Sequence, residues 1–351
     1  MAMGVVINGR FLTQQLTGVQ RFAFELSKRL ILINRSIKLL TPNVPLNESY
    51  SELSTDYVVK QGYLNGQFWE QLYLPLASRN KLLLNLANTA PLFKRYQIVT
   101  VHDLAFLRYP ECFSASFAKW YSFLIPRIVK NSLRVLTVSH FSREEIVNFL
   151  GVSPERITVI YNAVSEKFFY DPCVEKENIV LAVGSLDPRK NLLRLIDAFK
   201  KLNLHDYTLF IVGQQSKIFR NSKLEALIRN LSNVKITGYL TDEELVKLYQ
   251  RAKLFIYPSV YEGFGLPPLE AMACGTPVIV SNVASLPEVC GDAAYYINPF
   301  SVDDIANGIR CVLEDDVLQK ELISKGLKRV KRFTWENSVK KLVSVIEELG
   351  Y

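Results

Sequence analysis

The sequence contains few of the residues that build metal sites and disulfide frameworks. Its 351 residues include five cysteines and three histidines. The cysteines are odd in number and scattered, and none forms a Cys-x-x-Cys pair, the spacing typical of zinc and redox sites. We therefore expect no zinc site, and we interpret the cysteines as reduced, mostly buried residues of a cytosolic protein. They are Cys112, Cys173, Cys274, Cys290 and Cys311.

Long hydrophobic runs and targeting signals are also missing. No run of about 18 apolar residues occurs, so we expect no transmembrane helix. The N-terminus enters the strand-like run Val5-Val6-Ile7 without a basic region or a long apolar core, which argues against a signal peptide. No repeat of solenoid length is present. No Gly-x-Gly-x-x-Gly follows the first strand, which argues against a Rossmann dehydrogenase.

The net charge of +8 is concentrated in the N-terminal half of the chain. Residues 1–166 hold 18 Lys and Arg against 11 Asp and Glu, whereas residues 167–351 hold 24 against 23. A basic half attracts nucleic acid, anionic lipid or a phosphorylated substrate. The alternative is a basic surface that only keeps the protein soluble.

Both halves alternate short apolar runs with stretches of helical periodicity, and each half contains six predicted strands. This alternation predicts parallel sheets covered by helices on both faces. We therefore predict an α/β protein with two doubly wound, Rossmann-like domains, residues 1–166 and residues 167–333. A last helix would occupy residues 334–351, and the charged segment 165–177 would be the linker.

Two helices of the first half are predicted in more detail. An apolar pattern over residues 68–78 predicts one continuous helix. A second helix, over residues 142–149, would begin at Ser142, because Ser142 followed by Glu145 resembles a capping box.

The most informative segment runs from Glu262 to Glu270 with the sequence Glu-Gly-Phe-Gly-Leu-Pro-Pro-Leu-Glu. It follows an apolar run and precedes a helical pattern, which predicts a strand, a loop and a helix start. Gly263 and Gly265 let the backbone approach a ligand closely, and a helix N-terminus binds anions. A phosphate site with a carboxylate on each side suits a nucleotide sugar. The alternative is a tight loop with a solvated Glu262 and an exposed Glu270.

A second cluster follows the predicted strand at residues 179–183. Gly184 opens a turn that brings Arg189 and Lys190 to the carboxyl end of the strand, where open parallel sheets bind ligands. Cations there would stabilise the charge that develops on a departing nucleoside diphosphate. The alternative is an exposed basic pair at a helix start. Further candidates after neighbouring strands, equally compatible with ordinary turns, are Gly213, Tyr239 and Leu240.

The first half offers two weaker candidates. Gly18 lies at a predicted helix start, where its backbone can approach a phosphate. His102 follows an apolar strand at its carboxyl end and could hydrogen-bond a sugar hydroxyl. The alternative is a structural histidine with satisfied hydrogen bonds, followed by Asp103 in a turn.

The segment Glu262 to Glu270 resembles the E-x7-E motif of glycosyltransferase family 4. The similarity continues through Cys274-Gly275-Thr276-Pro277 and includes Asp187-Pro188-Arg189-Lys190-Asn191 and Val101-His102-Asp103. It extends over nearly the whole chain and is densest over residues 179–299. The resemblance implies a retaining enzyme of the GT-B fold, with two Rossmann-like domains facing a central cleft and a last helix that crosses back to the first domain.

The resemblance also implies roles for individual residues. Glu270 would bind the ribose hydroxyls, and Glu262 would contact the donor sugar. Gly18 and His102 would close the site from the acceptor domain, whereas Ser185 replaces an arginine that many members carry. The implied catalytic residues are Glu262, Lys190, Arg189 and His102. The implied donor-binding residues are Gly18, Gly184, Gly213, Tyr239, Leu240, Gly263, Phe264, Gly265, Leu266 and Glu270.

Two shorter segments, Asn8-Gly9-Arg10 and Gly18-Val19-Gln20-Arg21, are similar to mannosyl- or rhamnosyltransferases of bacterial O-antigen and capsule assembly. We therefore expect transfer of mannose or rhamnose from a nucleoside diphosphate, with GDP-mannose favoured and UDP- or dTDP-sugars as alternatives. The acceptor would be a glycan or a lipid-linked oligosaccharide. Because no Asp-x-Asp triplet occurs, we expect neither a metal nor another cofactor, and we expect no nucleic acid partner.

Two other activities fit the same residues. A nucleotide-sugar 2-epimerase of the same architecture would convert its donor without any acceptor, and a non-catalytic protein would only bind the sugar nucleotide. In either case we expect a cytoplasmic protein, with peripheral contact to an anionic inner membrane suggested by the basic first half.

Overall fold

The computed structural model describes residues 4–213 and 231–351 and divides the chain into two compact units. The first unit consists of Met1–Leu107, Ala115–Asn162 and Thr334–Tyr351. The second consists of Arg108–Ser114 and Ala163–Phe333. The chain therefore changes unit after Asn162, four residues before the predicted boundary, and a short excursion at residues 108–114 joins the second unit.

The first unit contains a seven-stranded sheet in the order β3-β2-β1-β4-β5-β6-β7, with every neighbouring pair parallel. Six of these strands coincide with the predicted ones. The additional strand, β3, has only three residues and none is buried, so it lacks an apolar run. The strands are β1 Val5–Asn8, β2 Lys38–Thr41, β3 Val58–Lys60, β4 Leu82–Asn85, β5 Gln97–Thr100, β6 Arg134–Thr137 and β7 Ile157–Val159.

Two helices of the first unit differ from the predictions for residues 68–78 and 142–149. The stretch predicted as one helix over residues 68–78 is divided into α-helix Gly66–Phe68, π-helix Trp69–Tyr73 and α-helix Leu74–Ala77. The predicted cap at Ser142 is also wrong, because the helix begins at His140 and Ser139 accepts the Ser142 amide at 3.0 Å. The longer helices of this unit are Gly18–Ile33, Ala115–Asn131, His140–Leu150 and Trp335–Glu348. The short helix Ala105–Arg108 ends at Arg108, the first residue of the segment that belongs to the second unit.

The last helix, Trp335–Glu348, is part of the first unit although it follows the second in sequence. Its Trp335 ring lies against Phe22, with ring centroids 6.3 Å apart. Ser338 Oγ donates to the Tyr161 carbonyl at 2.6 Å, and Arg134 pairs with Glu348 at 2.9 Å. Both ends of the helix are therefore fixed to the first unit.

The second unit contains a six-stranded parallel sheet in the order β10-β9-β8-β11-β12-β13. Its central strands are buried apolar runs, as expected when helices cover both faces of a sheet. The core residues include Val180, Leu209, Ile211, Leu254 and Ile256. The strands are β8 Glu177–Val183, β9 Thr208–Val212, β10 Val234–Gly238, β11 Ala252–Tyr257, β12 Val278–Ser281 and β13 Tyr295–Ile297.

The helices of the second unit follow the predicted pattern closely. Asp242–Arg251 begins with a capping box, in which Thr241 and Glu244 exchange two hydrogen bonds. The other described helices are Leu192–Lys201, Leu266–Ala273, Leu286–Cys290, Val302–Glu314 and Asp316–Val330. Across residues 4–213 and 231–351, no helix combines the length and the apolar character needed to cross a membrane.

Candidate functional site

The candidate site of the second unit begins where β8 and β9 end side by side. The Gly184 amide donates to the Val212 carbonyl at 2.8 Å, and the Gly213 amide donates to the Gly238 carbonyl at 3.0 Å. A Cβ atom on Gly213 would lie 1.8 Å from the Gly184 carbonyl oxygen. Position 213 therefore requires glycine because two strand-end loops pass too close together for any side chain.

The turn after β8 carries Arg189 and Lys190 on a short 3-10 helix, Pro188–Lys190, which Asp187 precedes. The Arg189 guanidinium donates to both oxygens of Asp187, with the shortest contact 2.6 Å. Burial raises the pKa of Asp187, but the Arg189 charge and its hydrogen bonds more than offset this and leave the pKa lowered. Arg189 is thus held as a partly buried cation, not as an exposed side chain.

Asn191 fixes this turn to the rest of the unit. Its backbone adopts a left-handed conformation with φ of 58°. Its side-chain amide donates to the Pro258 carbonyl at 3.1 Å and to the Pro299 carbonyl at 2.6 Å. The Val260 amide also donates to the Arg189 carbonyl at 2.8 Å. These bonds bring the turn after β8 next to the loop after β11.

Lys190 lies at the centre of the cluster formed by these two loops. Its ammonium donates to Glu262 Oε1 at 2.5 Å and to Tyr257 Oη at 2.7 Å. Only 17% of the Lys190 side chain and 13% of the Glu262 side chain are exposed. The structure therefore brings together two predicted residues separated by 72 positions, and neither is a solvated surface charge.

The charge state of Lys190 follows from two opposed effects. Burial alone would lower the pKa of its ammonium, because desolvation penalises the charged form. The negative charge of Glu262 and the hydrogen bonds to Glu262 and Tyr257 act in the opposite direction and raise the pKa above its ordinary value. Burial also raises the pKa of the Tyr257 phenol. At neutral pH Lys190 is therefore an ammonium and Tyr257 a neutral phenol.

The glycine-containing loop enters the helix Leu266–Ala273 through Gly265, whose φ of 95° favours glycine. A Cβ atom there would also lie 2.6 Å from the Leu286 side chain. Ser285 stabilises the loop, because its hydroxyl lies within hydrogen-bonding distance of the Glu262 and Phe264 carbonyls, at 3.0 and 2.8 Å. Gly263 and Phe264 are buried, and Leu266 is partly buried at the first helical position.

Two prolines change what this helix start offers to an anion. Pro267 and Pro268 lie in the first turn and have no amide hydrogen. A phosphate at this position would therefore rely on the amides of Leu266 and Leu269 and of the preceding loop, together with the Lys190 ammonium. Because two of the usual amide donors are missing, binding of a phosphate here depends more on the Lys190 ammonium than it would at an ordinary helix N-terminus.

Glu270 lies about one turn inside the helix and is only 8% exposed. Tyr249 Oη donates to Glu270 Oε2 at 3.2 Å. Burial, followed by the Glu270 charge, raises the pKa of the Tyr249 phenol well above its ordinary value. The alternative of an exposed helical Glu270 is wrong, because this carboxylate is a buried group oriented by a phenol.

The remaining donor-binding candidates of this unit lie beyond β10. Tyr239 and Leu240 follow Gly238, whose carbonyl accepts from the Gly213 amide just after β9. Tyr239 is 56% exposed and Leu240 is partly buried. The described contacts do not connect either residue to the Lys190 cluster, so their roles stay predictions.

The two candidates of the first unit have different surroundings. His102 is 5% exposed, its Nε2 lies 3.1 Å from the Leu86 carbonyl, and its ring packs edge-on against Phe22. Burial lowers its pKa to about 4, against a smaller opposing effect of the Leu86 hydrogen bond. His102 is therefore neutral at pH 7. Gly18 is the first residue of its helix, and a Cβ atom there would meet open space.

Sequence reasoning missed a polar cluster at the carboxyl ends of β1 and β4. Glu70, on the π-helix, is 1% exposed and its Oε1 accepts from Asn8 at 2.6 Å and from Thr89 at 3.0 Å. Arg10 Nε lies 3.3 Å from the same oxygen, and Asn8 also donates to Asn85 at 3.0 Å. The signal in the sequence was a charged residue inside an apolar helix pattern.

The second unit also contains partners that the sequence did not reveal. Tyr257, Asp187 and Asn191 orient the predicted residues Lys190 and Arg189, as described above. Tyr257 resembles any other apolar residue at the end of a buried strand, so only the fold shows that its hydroxyl reaches Lys190.

Comparison with known proteins identifies the family of both units. Residues 165–329 match the family described as "Glycosyl transferases group 1", and residues 16–168 match "Glycosyltransferase Family 4". The two matches together cover most of the chain.

Two curated relatives are O-antigen enzymes. The chain is 33% identical to "O-antigen chain mannosyltransferase B" of Escherichia coli over 269 residues, which are 72% of this chain and 70% of that protein. It is 37% identical to "O-antigen chain mannosyltransferase RfbU" of Salmonella typhimurium over 234 residues, which are 66% of this chain and 65% of that protein.

Solved structures share the fold at lower sequence identity. WaaG, a glycosyltransferase involved in lipopolysaccharide biosynthesis, aligns over 97% of this chain and 99% of its own with a TM-score of 0.75 and 18% identity. Anabaena Alr3699/HepE in complex with UDP aligns over 99% of this chain and 100% of its own with a TM-score of 0.77 and 18% identity. The chain therefore belongs to the group 1 and family 4 glycosyltransferases, has the GT-B fold and is a glycosyltransferase.

Proposed function

We propose that the enzyme transfers a sugar from a nucleoside diphosphate donor to a hydroxyl of a glycan or lipid-linked glycan in bacterial surface polysaccharide synthesis, with retention of the anomeric configuration. Mannose is the favoured sugar, because two relatives at 33% and 37% identity are named as O-antigen chain mannosyltransferases. GDP-mannose is accordingly the favoured donor. UDP- and dTDP-sugars remain alternatives, and one structural neighbour is recorded with UDP.

The observation that supports this proposal is the Lys190, Glu262 and Tyr257 cluster at the strand ends. Its ammonium is fixed by two hydrogen bonds and stays charged at neutral pH. A departing diphosphate gains negative charge as the glycosidic bond breaks, and a preorganised cation stabilises that charge more than the ground state. Lys190 therefore acts on the leaving group, and Arg189 provides a second cation on the same turn.

The carboxylates have separate roles in this proposal. Glu270, oriented by Tyr249, binds the ribose hydroxyls, since a buried carboxylate accepts strong hydrogen bonds. Glu262 orients Lys190 and contacts the hydroxyls of the donor sugar. The acceptor hydroxyl attacks from the leaving-group face, and a phosphate oxygen of the donor takes its proton. The two cations and the loop amides hold the diphosphate, so no metal or other cofactor is required.

A transfer assay with GDP-, UDP- and dTDP-sugars tests the proposal, with lipid-linked O-antigen oligosaccharide as acceptor. Lys190→Ala should lower kcat by about 10²–10³-fold, because one preorganised contact to developing charge is lost. Lys201→Ala is the matched control, since Lys201 pairs with Asp303 on the surface of the same unit. It should keep wild-type activity.

Three outcomes would contradict the proposal. Equal kcat for Lys190→Ala and the control would show that Lys190 takes no part in catalysis, provided that thermal unfolding shows both variants to be folded. Conversion of the donor in the absence of any acceptor would indicate a 2-epimerase. Donor binding without turnover under every acceptor tested would indicate a binding protein.

A further inference from the structure

A short segment of the N-terminal half, Arg108–Ser114, belongs to the second unit, although the chain on either side of it belongs to the first. It contains a 3-10 helix, Pro110–Cys112, which fixes the relative positions of three side chains. They are Tyr109, Cys112 and Phe113. Each of them contacts one of the two loops that form the candidate donor site.

Phe113 contacts the cation of the turn after β8. The Arg189 guanidinium carbon lies over the Phe113 ring, 5.1 Å from its centroid, within the distance of about 6 Å at which an aromatic face attracts a guanidinium. Asp187 holds the same guanidinium through hydrogen bonds, the shortest of which is 2.6 Å. Arg189 is therefore fixed by two independent contacts, a carboxylate and an aromatic ring.

Cys112 contacts the carboxylate instead of the cation. Its side chain is buried, and its thiol is hydrogen-bonded to Asp187. Burial, followed by the negative charge of Asp187, raises the pKa of the thiol to about 11. The thiol is protonated at neutral pH and donates to the carboxylate. Cys112 thus orients the group that orients Arg189.

Tyr109 contacts the other loop of the site. Its ring lies against that of Tyr261, with centroids 5.4 Å apart. Tyr261 is buried and directly precedes Glu262. The neighbouring Val260 amide donates to the Arg189 carbonyl at 2.8 Å. The segment therefore packs against both the turn after β8 and the loop after β11, where they meet.

We infer that residues 108–114, named here the bracing segment, position the Arg189 guanidinium for the donor diphosphate, with Phe113 as the main positioning residue. The Phe113 ring has neither a charge nor a strong hydrogen-bond donor for a phosphate, so it acts on the reaction through Arg189. A cation held in place before the reaction stabilises developing charge without reorganisation, and a small displacement of such a group costs a large factor in rate.

This inference rests on the proposed function, because it requires that Arg189 acts on the leaving diphosphate. The alternative is that the bracing segment only fills space. Replacement of Phe113 would then lower kcat by the same factor whether or not Arg189 is present. If Phe113 acts through Arg189, its replacement should have no effect once the guanidinium is gone, because residues that act on each other are not additive.

A double-mutant cycle on the transfer reaction tests the inference. Phe113→Leu should lower kcat by about three- to tenfold, with a smaller change in the donor KM. In the Arg189→Ala background the same replacement should leave kcat nearly unchanged. Phe113→Tyr keeps the ring and should recover most of the loss.

Tyr207→Leu is the matched control of this cycle. Its ring lies under Lys253 in the same unit, 5.8 Å from the ammonium. Tyr207 directly precedes β9, at the end of the strand opposite to the site. It should keep the wild-type kcat.

Two results would overturn the inference alone. They are equal losses from Phe113→Leu with and without Arg189, and wild-type kcat for folded Phe113→Leu beside a reduced kcat for Arg189→Ala. Wild-type kcat for Arg189→Ala would overturn the proposed role of Arg189 as well. If Phe113→Leu does not fold in thermal unfolding, Cys112→Ala replaces it in the cycle. Its loss should also vanish in the Arg189→Ala background, and a loss that persists there would overturn the inference.

Discussion

At the residue scale, burial separates the charges of the candidate site from those of the surface. Lys201 and Asp303 form an ion pair with side chains 58% and 69% exposed, and such pairs contribute about 0–1 kcal/mol. Lys190 and Glu262 are both largely buried, and removing one partner of a buried pair leaves an uncompensated charge. Such a pair is poorly explained by stability alone, which is why we interpret it as functional.

His102 gives a prediction about pH. In the folded protein its pKa is about 4, whereas an unfolded histidine has a pKa of about 6.5. Between these values the unfolded chain binds more protons, so the stability associated with neutral His102 is lost as the pH falls from about 6.5 to about 4. The loss should reach about 3 kcal/mol in the free energy of unfolding.

Urea unfolding at pH 7 and at pH 4 checks this value. His102→Gln removes the titrating group, so its free energy of unfolding should fall less between the two pH values than that of the wild type. Identical losses in wild type and variant would show that His102 is not held neutral by burial.

Single residues also show where sequence reasoning ends. Glu262, Lys190 and Glu270 could be named because loops at strand ends bind ligands in parallel sheets. Asp187 and Tyr257 could not, because each orients another side chain, and the distance between side chains depends on the fold. Glu70 was missed for the same reason, since its partners Asn8, Arg10 and Thr89 lie at the end of β1 and in the segments that follow β1 and β4.

At the element scale, strongly periodic segments were predictable and irregular ones were not. The helix Gly18–Ile33 begins at the predicted glycine, and β1 contains the strand-like run Val5-Val6-Ile7. The apolar pattern over the π-helix Trp69–Tyr73 is the same as that of an α-helix. The wider π-helical turn therefore could not be predicted from the sequence. Strand β3 is formed through its parallel pairing with β2, although it contributes no buried residue.

The loops between elements give a second prediction, at Gly213. Gly213→Ala should destabilise the protein by about 1–3 kcal/mol, because its Cβ would occupy the position of the Gly184 carbonyl. It should also weaken donor binding, since Gly184 lies beside Lys190. Gly4→Ala is the matched control, as its Cβ would meet open space just before β1.

Urea unfolding and donor titration of both variants provide the measurement. Gly4→Ala should leave the free energy of unfolding and the donor affinity nearly unchanged. If Gly213→Ala is as stable as the control and binds the donor equally well, the close approach of the two loops is not required.

At the scale of the whole molecule, the sequence predicted two parallel-sheet units but not how the chain is divided between them. Alternating strands and helices were sufficient to predict the two sheets. The excursion at residues 108–114 was not predictable, because it depends on contacts such as the Tyr109 ring against Tyr261 and the Phe113 ring under Arg189. Such contacts leave no periodic pattern in the sequence.

The central claim is that a nucleoside diphosphate sugar binds in the second unit with its diphosphate beside Lys190. A crystal structure of the chain with GDP-mannose, or with the donor that the transfer assay selects, tests this most directly. The account predicts diphosphate oxygens within hydrogen-bonding distance of the Lys190 ammonium and ribose hydroxyls on the Glu270 carboxylate. A well-ordered donor bound anywhere else, with Lys190 still paired only to Glu262 and Tyr257, would contradict it.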